Sequence, residues 1–68
     1  MDLIKIGKYI AAKRKALGLT QKQLAEKLNM SDKSVSKWER GICLPDVTVY
    51  LELCKILGIS INEFLAGE

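Results

Sequence analysis

Residues 20–40 read TQKQLAEKLNMSDKSVSKWER, and their punctuation predicts two short helices held close together. Thr20 stands as an N-cap, with Gln23 three residues on as its capping-box partner and Leu19 and Leu24 in the two staple positions. The helix begun there runs to about Leu28 and buries Leu24, Ala25 and Leu28. It stops at Asn29, one of the few residues besides glycine that tolerate the left-handed conformation of a sharp turn. Ser31 caps the next helix, which turns Val35 and Trp38 inward and ends at Gly41. Only Asn29, Met30 and Ser31 join the two. Amphipathic helices linked so tightly cross steeply and cannot lie antiparallel. The small side chain of Ala25 suits a close approach of their backbones.

Working outward, Ile6, Ile10, Lys13 and Leu17 recur as one stripe of a first helix, with Lys13 laying its methylene stem on the core, and Gly18 closes it. Downstream, Leu44 and Pro45 make a turn. A fourth helix follows from about Asp46 or Val47 to Leu57, with Val47, Tyr50, Leu51, Cys54 and Leu57 as its apolar side and Gly58 as its end. Ser60 with Glu63 as a capping box, and Ile59 with Phe64 as a staple, predict a fifth. No strand pattern competes, and there are no repeats or internal linkers. The expectation is one all-α, five-helix domain over residues 1–68. A chain of this size buries only about 60% of its unfolded surface, so its core must pack efficiently.

Several function classes are disfavoured at once. No stretch approaches the roughly 20 apolar residues of a membrane span, and the N-terminus lacks an apolar signal core, so a cytoplasmic address is expected. Cys43 and Cys54 are too few for a disulfide scaffold, and without histidine or a C-x-x-C pair they make no metal site. Both are expected reduced, with Cys54 in the core. No glycine-rich phosphate loop or convergent carboxylate pair suggests an enzyme, and so small a core leaves no room for a catalytic pocket. Neither a cofactor nor a small-molecule ligand is expected. The net charge of +3 conceals an asymmetry: residues 1–45 hold ten basic against four acidic side chains, residues 46–68 one against four. A polyanion-facing first half explains this. Charge alone explains it equally well as unevenly distributed solvated lysines.

The third helix sharpens the choice. With Val35 and Trp38 inward, its other face presents Asp32, Lys33, Ser36, Lys37 and Arg40, a short, mostly basic surface without large apolar groups. An α-helix fits the major groove, where Lys donates to guanine O6 and N7, Asp accepts from cytosine N4, and Ser serves either role. Gln21, Lys22 and Ser31, at the starts of the second and third helices, are candidates for the phosphate backbone, together with Arg40. Trp38 could be imagined as a base-stacking platform, but its spacing with Val35 assigns it to the core.

These residues resemble a known family, the phage-repressor-like regulators of the XRE or Cro/C1 type. The resemblance rests on Ile6-Gly7-x-x-Ile10, Lys13-Arg14, Gly18-Leu19-Thr20-Gln21-x-x-Leu24-Ala25, Ser31-x-x-Ser34-Val35-Ser36-x-Trp38-Glu39-Arg40-Gly41, Leu44-Pro45-Asp46 and Leu57-Gly58-Ile59-Ser60. It implies a five-helix, lambda-repressor-like fold whose helix-turn-helix unit sets helix two across the DNA backbone and helix three into the groove. By position, Asp32, Lys33, Ser36 and Lys37 match base-reading sites, Gln21 and Arg40 match backbone sites, and Arg14 and Glu39 match an interhelical ion pair. Two residues depart from the pattern: Asp32 is acidic where Gln, Asn, Thr or Arg is usual, and Asn29 replaces a common glycine. The implied function is sequence-specific binding of double-stranded DNA as a transcriptional regulator, a repressor in the first instance. A protein-interaction module on the same fold, such as an antitoxin, is the alternative. One short reading helix covers few base pairs, so a homodimer on half-sites roughly 34 Å apart is expected, joined through helix five.

Overall fold

The computed structural model describes residues 2–60 and 62. They form four helices, α1 (Leu3–Ala16), α2 (Gln21–Lys27), α3 (Asp32–Glu39) and α4 (Val47–Leu57), and no strand occurs among them. The fifth helix expected from Ser60, Glu63, Ile59 and Phe64 falls mostly outside the described residues; Ile59 itself is buried.

The helix starts follow from side chains that bind free backbone amides. Asp2 accepts from the amides of Ile4 and Lys5, and Asp46 accepts from that of Thr48. Thr20 and Gln23 close the capping box at 3.0 and 2.9 Å. Ser31 occupies the N-cap of α3 in extended geometry but makes no capping hydrogen bond with its side chain, contrary to the sequence expectation. The turn between α2 and α3 depends on Asn29, whose φ of 55° is the left-handed value anticipated there. With that residue in place, the Met30 and Asn29 amides reach back to the Ala25 and Glu26 carbonyls at 2.9 and 3.2 Å. This is a Schellman closure, which satisfies carbonyls that the helix end would otherwise leave without partners.

The core gathers Ile6 and Ile10 from α1, Leu24 and Ala25 from α2, Val35 and Trp38 from α3, and Leu53, Cys54 and Leu57 from α4. Trp38 is therefore a packing residue, and α3 lies against both α1 and α2. Gly7 permits the first of these contacts. A Cβ there would sit 2.6 Å from the Glu39 carbonyl oxygen and nearer still to that of Trp38.

Two apolar faces differ from the sequence reading. On α1 the stripe continues from Ile6 and Ile10 to Arg14, which is 8% exposed, while Leu17 is 52% exposed. Lys13 is half-buried, with its ammonium 5.5 Å from the centre of the Tyr9 ring. Positions 13 and 14 project only about 100° apart on a helix, and the acceptor on α3 selects the arginine. On α4, Val47 is 76% and Leu51 46% exposed, whereas Leu53, absent from the expected face, is fully enclosed. Eight of the eleven α4 residues are apolar or aromatic (all but Thr48, Glu52 and Lys55), so periodicity alone could not choose which side faces inward.

Candidate nucleic-acid interface

Residues from two helices converge on one face of the molecule. Gln21 of α2, Asp32, Lys33, Ser36 and Lys37 of α3, and Arg40 at the end of α3 together line an open concavity of about 290 Å³. The packing of α2 against α3 makes this possible, with Gln21 at the start of α2 beside the outer face of α3. Asp32, Lys33, Lys37 and Arg40 are exposed, while Ser36 and Gln21 are half-buried. Three cations against one carboxylate give the face a positive character. Lys22 and Ser31 are exposed but lie outside this lining.

Arg40 is bent along its own helix, its Nε donating to the Ser36 carbonyl at 3.3 Å and to Ser36 Oγ at 3.1 Å. Behind the face lies the ion pair. Arg14 Nε donates to Glu39 Oε2 at 2.6 Å and a terminal guanidinium nitrogen to Glu39 Oε1 at 3.0 Å, with side chains 9% and 8% exposed. The other terminal nitrogen donates to the Leu19 carbonyl at 2.7 Å. A forked, nearly enclosed pair of this kind ties the C-terminal turn of α1 to the last residue of α3 and the segment leading into α2.

Glu39 Oε1 also accepts from Gln21 Nε2 at 3.0 Å, a contact that sequence reasoning missed. Gln21 and Glu39 lie on different helices, and no spacing rule joins residues across a turn whose crossing geometry is unknown. No buried side-chain polar atom among the described residues lacks a partner. No group of potential metal ligands occurs among them either.

A family model described as Helix-turn-helix matches residues 10–64. The transcriptional regulator DicA of Escherichia coli is 41% identical over 63 residues, which span 93% of this chain and 47% of DicA. The cryptic phage CTXphi transcriptional repressor RstR of Vibrio cholerae is 37% identical over 60 residues, 88% of this chain and 54% of RstR. The chain thus spans about half the length of these curated relatives. Among solved structures, the restriction-modification controller protein C.AhdI of Aeromonas hydrophila superposes with a TM-score of 0.82 at 32% identity, over 93% of this chain and 91% of that one. With a family model matching most of its length and relatives of this identity beside it, the chain belongs to the helix-turn-helix family of phage-repressor-like regulators.

Proposed function

We propose that this domain binds double-stranded DNA sequence-specifically as part of a transcriptional regulator, acting as a repressor, with α3 read into the major groove. The observation that carries the proposal is the single concavity lined by Gln21, Asp32, Lys33, Ser36, Lys37 and Arg40. In it, donors suited to base edges sit beside groups suited to phosphate. Lys33 and Lys37, one turn apart, are the base readers, with Ser36 and Asp32 between and beside them. Gln21, Lys22, Ser31 and Arg40 hold the backbone. The uncommitted Ser31 side chain at the start of α3 and the exposed Lys22 ammonium are consistent with that role.

The names of DicA, RstR and C.AhdI, all regulators or controllers, support this reading. A binding domain without catalysis or cofactor, working in the cytoplasm, fits the same picture. No helix among the described residues is long and apolar enough to cross a membrane. Two copies on a near-palindromic site would double the sequence read. A gel shift with random duplex at low salt, followed by selection of bound duplexes from a random pool, tests the proposal. Retention of duplex and recovery of a symmetric site are expected, and no retention at low salt would overturn it.

A further inference from the structure

We infer that Glu39 is a positioning residue for DNA binding: through one hydrogen bond it fixes which end of the Gln21 carboxamide a phosphate oxygen meets. The inference rests on the DNA-binding reading above. A glutamine amide can turn over, presenting either two N–H donors or a carbonyl acceptor. Here that freedom is removed from behind. Glu39 Oε1 lies 3.0 Å from Gln21 Nε2, and turning the amide would set carbonyl oxygen against carboxylate oxygen with no proton between them. Glu39 cannot swing aside to relieve this, because Arg14 grips both of its oxygens and is itself anchored to the Leu19 carbonyl at 2.7 Å.

One N–H of Nε2 is thus spent on Glu39, and the second remains for a ligand in the concavity that Gln21 lines. Phosphodiester oxygens only accept, so an amide locked as a donor matches them and a carbonyl in its place would repel them. The ion pair therefore has two tasks: it joins α1 to α3, and it settles the orientation of a neutral backbone contact in advance of binding. Ordering that side chain in the free protein removes a cost otherwise met on association.

The test compares Gln21→Ala in two backgrounds, the wild type and Arg14→Met/Glu39→Met, which removes the pair without stranding either charge. In the wild type the substitution should weaken binding of the selected duplex about tenfold, the scale of one hydrogen bond to a charged group. In the double-methionine background, once a thermal melt shows it folded, the same substitution should cost only about threefold, because a freely turning amide must first be ordered on binding. The salt slope should stay unchanged in both, since Gln21 neutralises no phosphate. Equal losses in the two backgrounds, or no loss in the wild type, would overturn the inference while leaving the DNA-binding reading intact. A wild type that binds no duplex overturns the reading itself. If the double-methionine variant does not fold, the Gln21 side-chain amide resonances of the free wild-type protein decide. They should be displaced from those of the chain's exposed carboxamides, and coincidence with them would refute the locked orientation.

Discussion

The smallest side chain in α1 sets one of the tightest constraints on the molecule. Gly7 meets the carbonyls at the end of α3, and backbone atoms cannot rotate away as a side chain does. Gly7→Ala gains helix propensity of about 1 kcal/mol, yet the clash should outweigh it and leave the domain less stable by roughly 1–3 kcal/mol. Urea unfolding measures this. The Arg14–Glu39 pair imposes a constraint of another kind. Its members are nearly enclosed, so Glu39→Ala leaves a guanidinium with little water and no anion, and should cost roughly 3–5 kcal/mol. Arg14→Met/Glu39→Met should lie close to the wild type in the same experiment. A single-variant loss below about 1 kcal/mol would show that the pair behaves as an exposed one.

At the scale of elements, α3 has one face in the core and one in solvent, and substitutions on the two should separate cleanly. Lys33→Ala and Lys37→Ala are expected to leave the circular dichroism melt within about 0.5 kcal/mol of the wild type. Each should weaken the preferred duplex by roughly 1–3 kcal/mol and relax base preference at one position per half-site. Arg40→Ala should weaken all duplexes about equally, because phosphates carry no sequence. Folded variants at positions 33 and 37 that keep both affinity and preference would remove α3 as the reader. The short α2, seven residues long, relies on its start signal. Thr20→Ala opens the capping box and should lower stability by about 1 kcal/mol.

For the whole molecule, charge sets how binding responds to solution conditions. Each phosphate neutralised contributes about −0.9 to the slope of log K against log salt, so a dimer using Lys22, Lys27 and Arg40 from each copy should show a slope of several units. A flat titration between about 50 and 200 mM salt would count against DNA as the ligand. Stability should respond to pH on the alkaline side. Burial pushes the Cys54 thiol upward, and burial together with the neighbouring Cys54 raises the Tyr50 phenol. Both groups hold their protons more tightly when folded, so they contribute stability below their ordinary pKa values of about 8.5 and 10. That contribution is lost as pH rises through the raised ones. With no histidine in the chain, the melting temperature should be level between about pH 6 and 8, then fall. A decline centred near neutrality would require another titrating group.

Local chemistry made the element starts and stops legible in the sequence. Thr20 with Gln23 and the left-handed Asn29 act within a few residues of themselves, so their reading survived folding unchanged. The inward spacing of Val35 and Trp38 likewise left Lys33, Lys37 and Arg40 on the outward side of α3, where all three are exposed. What only the tertiary structure decided lies where two neighbouring positions were equally fit and a distant partner chose between them. Arg14 displaced Lys13 and Leu17 from the buried stripe because Glu39 waits on α3. Leu53 entered the core in place of Val47 and Leu51 because an α4 that is apolar nearly all round takes its orientation from its neighbours. The Gln21–Glu39 bond exists only once α2 and α3 have crossed. A one-dimensional pattern records periodicity and capping, whereas the partner of a buried polar group is fixed by where the chain returns in space.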